Sequence, residues 1–545
     1  MRKLGITLIS MVIVLMVGSP TLADTYIITV ANTQAGHLGV SLVEQAYWGE
    51  GASHLQANMP NGQGERLCGT DDATSCESLL DSASSFYGVV NLPKCSGDDA
   101  ENCVESLDIY SESADPAPAT FMRMVAGSTV PASSSLGNPA GSTSSLWKAG
   151  GSSSTVTTFD VLVALRLGWQ DGHFNLSGLQ ASVLPYTLAP REGQSPSTWR
   201  NSSWSNGVTH LESTGGTPDC YWVDKGECGK PLDFSPGTKV RLSLRISKDL
   251  GGWFSGRMES PTISVASIST KQNRISIDAK PVFVPQFSAS IDLSNDPEKL
   301  ADYMGFDKVE HPQGGGMSST GTSGQHSIDL VSKFRNQTKD TASGQLSMWG
   351  FTTTAGVGEC LGDTSKVQGV VSTNAMVYEG NAPAFVNGEL NYKVGGLHYL
   401  EDGKSLATGT YDMVMRSDTA RCLYGFSSAP INATVSVVDS DGQEKVAVTN
   451  VTERNDWLHL SATGFTFSTN KITAKLTQAK PPTPSPTPSA VSQSPAPKVS
   501  ESASPAPTAS KSPAAPRYIV CKPKTGKGKA IRIMGTKCPK GFLKK

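Results

Sequence analysis

Short stretches that are rich in β-branched residues, or in which apolar and polar residues alternate, make up most of the chain from residue 25 onward. The clearest of them lie at 25–31, 121–126, 158–167, 239–246, 262–268 and 274–279, and Gly, Pro, Ser and Asn stand between them. A period of two residues with such boundaries is typical of strands that bury one face. The pattern therefore predicts a mainly β protein.

Patterns typical of helices are few. Asp296 followed by Pro297 and Glu298 predicts a short helix over 297–304, because proline is favoured at the first helical position. Short helical turns are expected over 77–86 and 102–109, inside a segment that is rich in cysteine.

Residues 327–478 carry about eight strand patterns at regular spacing, which favours a β-sandwich. Valines alternate on both sides of Asp439-Ser440-Asp441-Gly442, and an Asp-Gly turn between alternating segments is a strong indicator of a tight hairpin. We therefore expect the strands before and after this turn to pair with each other.

Changes of composition divide the chain into segments. These are a signal peptide (1–23), an N-terminal mainly-β domain (24–311) with an acidic, cysteine-rich insertion (60–110), a flexible linker (312–326), a β-sandwich domain (327–478), a disordered Pro/Ser/Thr-rich stalk (479–516) and a basic C-terminal hairpin module (517–545). The predicted fold class is mainly β, with two β-sandwich-like domains, a disordered proline-rich linker and a small β-hairpin closed by a disulfide.

The first 23 residues have the three parts of a secretory signal peptide. Arg2 and Lys3 precede an apolar stretch over 6–17, and Thr21-Leu22-Ala23 offers small residues at a cleavage site. No apolar run of membrane-spanning length follows. The sequence thus predicts a secreted protein with no transmembrane segment in its mature chain.

An even number of cysteines in an exported protein is typical of disulfides. Ten are present, and their order favours the pairs Cys68–Cys76, Cys95–Cys103, Cys220–Cys228, Cys360–Cys422 and Cys521–Cys538. The first four could also nest, as Cys68–Cys103 around Cys76–Cys95, and the spacing leaves both pairings open. Zinc is disfavoured, because the seven residues between the first paired cysteines are not a zinc-ligand spacing.

The formal net charge of −2 hides two regions of opposite charge. Residues 24–478 carry 31 basic and 47 acidic side chains, whereas residues 517–545 carry ten basic side chains and no acidic one. Such a module suits an anionic polymer or surface of the cell envelope better than nucleic acid, and predicts retention at the cell surface. The predicted envelope contacts are Lys522, Lys524, Lys527, Lys529, Arg532, Lys537, Lys540, Lys544 and Lys545.

The segment before this module is rich in proline. Residues 479–516 hold 11 of the 33 prolines and no glycine or aromatic residue, so we expect an extended stalk. Residues 518–521 and 530–534 then alternate around a Lys/Gly-rich turn, which predicts a hairpin. A lone hairpin is marginal in water, so the Cys521–Cys538 bridge is expected to be needed for folding.

The module combines Val520-Cys521, a Lys/Gly-rich turn over 522–529 and a Lys-Cys-Pro-Lys-Gly-Phe run over 537–542. In the body, the runs Arg-Cys-Leu-Tyr-Gly-Phe at 421–426 and Gly-Phe-Thr-Phe-Ser at 464–468 are also distinctive. With the preceding proline-rich stalk, the chain resembles exported actinobacterial cell-surface proteins that have no assigned activity. The resemblance implies a location and a lineage, and it carries over no functional residue.

Enzyme motifs are mostly absent: the sequence has no HExxH, no GxSxG and no GxxxxGK[ST]. The histidines lack metal-ligand spacing, so no metal site and no cofactor are predicted. Two facing carboxylates suffice for glycoside hydrolysis, and no pattern selects such a pair from 47 acidic residues. A non-enzymatic binding, adhesion or structural role is favoured, with a secreted polysaccharide-acting hydrolase as the alternative.

Two groups of residues are candidate ligand contacts. Trp199 and Trp204 flank a polar run, and aromatic rings on a β scaffold can stack on sugars, so they are the candidate glycan contacts. In the acidic segment 44–115, Asp71-Asp72 and Asp98-Asp99 lie near cysteines. This segment is expected to be a solvated surface, with calcium binding as the alternative.

Overall fold

The computed structural model describes residues 36–42, 44, 52–69, 75–150, 156–203, 208–216, 219–295, 316–427, 431–439, 443–444, 447–467, 470–478, 518–523, 531–534 and 542–544. Within these ranges the protein is mainly β, which confirms the fold class predicted from the alternating pattern. The chain divides into two compact units, Met1–Pro481 and Pro482–Lys545. The predicted signal peptide, the helix expected over 297–304 and the predicted stalk lie outside the described residues.

The first eighteen strands precede the predicted linker. They are β1 (His37–Leu42), β2 (His54–Met59), β3 (Gly64–Cys68), β4 (Ser85–Asn91), β5 (Cys103–Ser111), β6 (Thr120–Met124), β7 (Ser145–Lys148), β8 (Thr158–Gln170), β9 (His173–Pro190), β10 (Thr198–Ser203), β11 (Thr209–Thr214), β12 (Val223–Asp224), β13 (Glu227–Pro231), β14 (Thr238–Ser247), β15 (Gly252–Arg257), β16 (Glu259–Ser267), β17 (Gln272–Lys280) and β18 (Val282–Asp292).

The later strands are β19 (Gly316–Thr320), β20 (Gly344–Met348), β21 (Gly350–Thr354), β22 (Val367–Thr373), β23 (Val377–Tyr378), β24 (Ala384–Val386), β25 (Glu389–Gly395), β26 (Thr408–Arg416), β27 (Ile431–Asp439), β28 (Val448–Arg454), β29 (Trp457–Thr466), β30 (Asn470–Gln478), β31 (Tyr518–Pro523), β32 (Ile531–Met534) and β33 (Phe542–Lys544). The α-helices of the described ranges are α1 (Gln325–Phe334), α2 (Gly358–Leu361) and α3 (Ser417–Tyr424), and short 3-10 turns lie at Cys76–Leu79, Leu293–Asn295 and Arg335–Thr338.

Two long neighbouring strands, β8 and β9, form the centre of the largest sheet. They have 13 and 18 residues and pair antiparallel across a tight turn at Asp171 and Gly172. Both turn residues have positive φ angles, 54° and 83°, which glycine adopts freely and aspartate tolerates. Because the strands are long, each also pairs with others: β4 and β7 flank β8, and β13 and β21 flank β9.

Strands from both sides of the predicted linker pair with each other. β15 pairs with β21 and β22, and β18 pairs with β20, whereas β19, the parallel partner of β1, lies within the predicted linker. Backbone hydrogen bonds connect 17 strands, among them β15, β21 and β22, into one continuous sheet, whereas β1, β18, β19 and β20 form a separate four-stranded sheet. Residues 24–311 and 327–478 share this framework, which no local sequence pattern indicates.

Two of the hydrophobic cores lie between facing sheets. The largest lies between β8 and its neighbours and the sheet ordered β16-β17-β14-β5, and Leu165 and Leu242 are fully buried in it. The second lies between β22, β26 and β29 and the sheet ordered β23-β25-β30-β27, with Met413 and Tyr392 buried on the two sides. Facing sheets with a shared core are the sandwich architecture that the strand spacing predicts.

Helix α1 has no counterpart in the sequence prediction. Its Ile328, Leu330, Val331 and Phe334 pack in a third core with Phe287 of β18. The apolar positions recur at intervals of three and four residues, so one face of this helix covers the sheet ordered β19-β1-β18-β20.

Four disulfides lie in the described part of the chain: Cys68–Cys76, Cys95–Cys103, Cys220–Cys228 and Cys360–Cys422. They confirm the sequential pairing and exclude the nested one. The last of them ties α2 to α3 over a sequence separation of 62. Cys538, half of the fifth predicted bridge, lies outside the described residues.

One local prediction is wrong, and a second is confirmed only next to its turn. The helical turn expected over 102–109 is replaced by β5, which pairs with β14. The turn predicted at Asp439-Ser440-Asp441-Gly442 is paired at its base, where Val438 lies opposite Glu444 and the Asp439 N–H donates to the Gln443 carbonyl at 2.9 Å. Beyond this base, β27 pairs with β30 and β28 pairs with β29. β5 pairs with β14, which lies far away in the sequence, so tertiary pairing overrides the local preference there, whereas β28 pairs with the strand that directly follows it, β29.

The hairpin predicted for the basic module is present in the second unit. β31 pairs antiparallel with β32, from Tyr518 opposite Met534 to Cys521 opposite Ile531. A strand that the sequence did not predict, β33, pairs with the other edge of β31. The result is a three-stranded sheet ordered β32-β31-β33, and three strands are better able than two to persist in water.

Candidate functional site

A buried polar cluster lies on one face of the sheet formed by β6, β7, β8 and β9. Arg123, Leu146, Asp160 and Leu184 lie opposite one another on these strands, so their side chains project from the same face. The two leucines belong to a small core whose other members are Val125, Tyr186, Tyr221, Trp222, Val282, Val284 and Met348. Asp160 is therefore a carboxyl group inside a hydrophobic core.

The surroundings of Asp160 disfavour its charged form. Its exposed fraction is 0%, and neither carboxyl oxygen has a hydrogen-bond partner among the described residues. Burial raises the pKa of Asp160 to about 7, against a smaller opposing effect of the nearby Ser144 hydroxyl. This carboxyl group therefore changes its protonation near neutral pH.

A small hairpin, formed by β12 and β13, covers this cluster. The ring of Trp222 meets the Tyr186 ring edge to face, with 5.4 Å between the centroids. The Arg123 guanidinium lies 5.2 Å from the centre of the Trp222 ring and also donates a hydrogen bond to the Asp224 carboxylate. Cys220–Cys228 closes the hairpin at its base.

The close fit of the hairpin depends on a glycine. A Cβ atom at Gly229 would lie 2.2 Å from Nε1 of Trp222, which is closer than any non-bonded contact allows. The indole ring therefore lies directly on the backbone of β13, and only glycine permits this approach.

The charges of the cluster determine what it can do chemically. Arg123 and Asp224 neutralise each other, and a protonated Asp160 keeps the whole group neutral. Asp160, Asp224 and Trp222 are at most 3% exposed. The cluster can take up and release a proton, and a larger ligand would reach Asp160 only after the hairpin moves.

A second carboxyl group with a raised pKa lies on β26. Burial raises the pKa of Asp412 to about 7, although the backbone amide of Ser260 donates to its Oδ2 at 3.0 Å and opposes the shift. Asp412 thus holds the backbone just after β15 against β26. Its hydrogen bond indicates a structural role, in contrast to Asp160.

Of the two predicted glycan contacts, Trp199 lies among the described residues and Trp204 does not. Trp199 lies on β10, half-buried; its ring packs on His54 at 4.3 Å between centroids, and its indole N–H donates to the Ala52 carbonyl at 3.3 Å. Trp204 lies outside the described residues. Contact of these residues with a glycan stays a prediction.

The predicted envelope contacts lie in the second unit. Lys522 is on β31, Arg532 on β32 and Lys544 on β33, so each strand of the small sheet carries one of them. The remaining six are Lys524, Lys527, Lys529, Lys537, Lys540 and Lys545, and they lie outside the described residues.

The acidic, cysteine-rich segment is described in part. Asp98 and Asp99 are exposed in the loop that Cys95–Cys103 closes, whereas Asp71 and Asp72 lie outside the described residues. Wherever the structure describes side chains, no group of three or more His, Cys, Asp or Glu residues is placed to hold a metal ion. Calcium binding by this segment stays a hypothesis.

The run at 421–426 has a packing role. It forms the second half of α3, and Gly425 ends the helix with a left-handed φ of 64°. The Tyr424 ring stacks on Phe426 at 5.0 Å and meets Phe385 edge to face at 4.9 Å. These rings pack against the second core, so the motif attaches α3 to the sandwich.

One residue of the sequence, Asp160, indicates the buried cluster although it belongs to no enzyme motif. Asp160 is the one charged residue in the apolar run from Phe159 to Leu165, and a lone carboxylate in such a strand needs a structural or functional reason. Its neighbours Arg123 and Asp224 could not have been identified in this way, because only the fold brings them to the same face.

No helix of the described ranges is long and apolar enough to cross a membrane. No protein-family model, no curated protein and no solved structure matches the chain.

Proposed function

We propose that the protein is an exported, non-enzymatic protein of the cell surface. In this proposal the β body binds a partner or forms a structural layer, and the basic C-terminal module holds the body to an anionic polymer of the envelope. The observation that carries the proposal is the division of the chain: residues from Pro482 onward form a separate compact unit, and that unit contains the ten-cation module.

The two regions carry opposite net charges, so they respond in opposite ways to an anionic polymer. With 31 basic and 47 acidic side chains, residues 24–478 are repelled by an anionic polymer, whereas residues 517–545 are attracted to it. The attraction depends on salt, because the screening length is about 8 Å at physiological ionic strength. The disulfides of the body support an oxidising, extracellular location.

Co-sedimentation of the mature chain (24–545) with anionic wall polymer, or with phosphatidylglycerol vesicles, tests the proposal. We expect binding at low salt that weakens steadily as salt is added. Replacement of the nine predicted contacts by glutamine should abolish binding, whereas replacement of the eight lysines among them by arginine should preserve it. Equal binding by the glutamine variant would refute the role of the module.

A secreted polysaccharide hydrolase is the second hypothesis. The observation that favours it is Asp160, a carboxyl group with a pKa raised to about 7, in one cluster with Asp224 and aromatic rings. Asp160 lies beneath the β12–β13 hairpin, and Asp224, which the hairpin carries, is only 2% exposed, so the geometry supports a binding role better than a catalytic one. Release of reducing sugars by the wild type, lost in both Asp160→Asn and Asp224→Asn, would establish the enzyme; an inactive wild type removes this hypothesis.

The proposal includes a glycan surface at Trp199 and Trp204. Because the Trp199 ring also packs on His54, its replacement changes stability as well as any binding. Loss of glycan-array binding in Trp204→Ala at an unchanged melting temperature would support the surface. Unchanged binding in a Trp199→Ala/Trp204→Ala double variant would remove it.

A further inference from the structure

We propose that the β12–β13 hairpin is a proton-controlled flap: protonated Asp160 lets Arg123 hold the flap closed through Asp224, and loss of that proton opens it. The proposal concerns the body alone and does not depend on the attachment of the basic module.

The charge balance of the cluster provides the first step. In the closed arrangement one guanidinium faces one carboxylate, Arg123 with Asp224, and Asp160 contributes no charge. When Asp160 ionises, two buried carboxylates, each at most 2% exposed, compete for one guanidinium. An uncompensated buried charge is strongly unfavourable, so the arrangement has to change.

The geometry allows Arg123 to change partners. Arg123 and Asp160 lie in the same row of the sheet, separated by the single strand β7. Two strand spacings amount to about 10 Å between Cα atoms, which the two side chains can bridge together. Arg123 is also the more mobile partner, because its side chain is 39% exposed while that of Asp224 is 3% exposed.

None of the other described groups that face Asp160 supplies a better positive counter-charge than Arg123. Tyr186 of β9 and Tyr221 beside the hairpin are phenols; burial, together with the charge of Asp160, raises the pKa of Tyr186 to about 12. Glu227 of the hairpin is acidic, and Lys148 of β7 shares the face but is exposed to water. The core members from β18 and β20 are Val282, Val284, Leu346 and Met348, which are apolar.

Arg123 is a principal contact of the flap. It holds Asp224 by a salt bridge and covers the Trp222 ring, so its departure removes both contacts together. The packing of Trp222 on Tyr186 and Gly229, the Arg191–Asp219 salt bridge and the contact of Val223 with the small core beside Ala189 then remain to oppose opening. The pairing of β13 with β9 runs along the whole of β13, from Glu227 opposite Pro190 to Pro231 opposite Tyr186, so β13 stays in the sheet and the moving part of the hairpin is the β12 arm, 219–224. Cys220–Cys228 keeps this arm attached, so its motion is that of a flap, with no wider unfolding.

Hydrogen exchange of the peptide covering residues 219–231, corrected for the intrinsic effect of pH, tests the flap on the mature chain. We expect exchange to accelerate about tenfold between about pH 6 and about pH 8 in the wild type. Asp160→Asn should remain protected at both pH values, because the amide has the shape of the protonated acid and no charge. Asp160→Leu serves the same purpose if the asparagine variant does not fold.

Two controls separate the flap from a general loss of stability. Asp412→Asn removes the other buried carboxyl whose pKa is about 7, and it should keep the wild-type response of 219–231. Gly229→Ala displaces Trp222 and should leave this peptide unprotected at both pH values. Unchanged wild-type protection at the two pH values, a response that persists in Asp160→Asn, or one that disappears in Asp412→Asn would each overturn the proposal.

Discussion

Arg257 joins three segments that are remote from it in the sequence. It donates to the Glu44 carboxylate at 2.8 Å, to the Thr322 hydroxyl at 3.2 Å and to backbone carbonyls within 373–376. Its guanidinium also lies 4.1 Å from the centre of the Tyr378 ring. The side chains of Arg257 and Glu44 are both 1% exposed, so each depends on the other for its counter-charge.

Replacement of Arg257 by alanine should therefore be strongly destabilising. It leaves the Glu44 carboxylate and several carbonyls buried without their partner, and we expect a loss of about 3–5 kcal/mol in the free energy of unfolding. Urea denaturation measures this loss. Arg200→Ala is the matched control, because Arg200 pairs with Glu212 on the surface at 2.9 Å and should change stability little. Equal effects of the two variants would contradict the account.

His54 gives the stability of the body a predictable dependence on pH. Burial lowers the pKa of His54 from 6.5 to about 4. Between these values the unfolded chain binds a proton that the folded chain excludes, so the contribution of His54 to stability is complete above pH 6.5 and declines as the pH falls towards 4. The full difference corresponds to about 3 kcal/mol.

We therefore expect His54→Gln to lose less unfolding free energy than the wild type between about pH 7 and about pH 4, by about 3 kcal/mol. Urea titrations at several pH values between these limits give the slope directly. His173→Gln changes an exposed histidine and should retain the wild-type slope. If the unfolding free energy of His54→Gln changes with pH as steeply as that of the wild type, then His54 takes up its proton in the folded chain as readily as in the unfolded chain.

The sequence shows which charged residues lie in strand-like segments, but it does not show their surroundings. The presence of Arg257, Asp160 and His54 in strand-like segments is visible in the sequence, but their burial and partners are not. Glu44 and Arg257 are 213 residues apart, and a pairing over that distance is determined by the fold as a whole.

At the scale of elements, the sequence indicates strands better than it indicates their partners. The apolar segment 158–167 and the alternating segment 239–246 correctly predict β8 and β14. β8 buries consecutive side chains from Phe159 to Leu165, whereas the apolar side chains of β14 alternate with polar ones and lie in the largest core. The same pattern says nothing of the pairing of β15 with β22, or of the separation of β27 from β28 into different sheets. Strand pairing over long distances depends on contacts that no local window contains.

The disulfides differ in the length of chain that they close, and this predicts a difference in their effects. Cys360–Cys422 spans a separation of 62, whereas Cys68–Cys76 spans 8. From loop-closure entropy we expect the free energy of unfolding to fall by about 4 kcal/mol when the first bridge is removed and by about 2 kcal/mol when the second is removed. Unfolding of the two double Cys→Ala variants tests this order. A larger loss for the Cys68/Cys76 variant would show that local packing outweighs chain entropy.

At the scale of the whole molecule, the chain separates its charges. A body with 31 basic and 47 acidic side chains is followed by a proline-rich segment and then by a module with ten basic side chains. The structure adds that this module belongs to its own compact unit and contains a three-stranded sheet. The module and its hairpin were predictable because they are local in sequence; the third strand and the buried cluster of the body were not.

The location of the protein after deletion of residues 517–545 tests the central claim most directly. In a bacterial host whose envelope carries an anionic wall polymer, the wild type and a variant with the eight candidate lysines changed to arginine should remain with the cell fraction, and a wash at high salt should release them. The deletion variant, folded as judged by its melting temperature, should appear in the medium. Retention of the deletion variant with the cells, or release of the wild type to the same extent, would contradict the account.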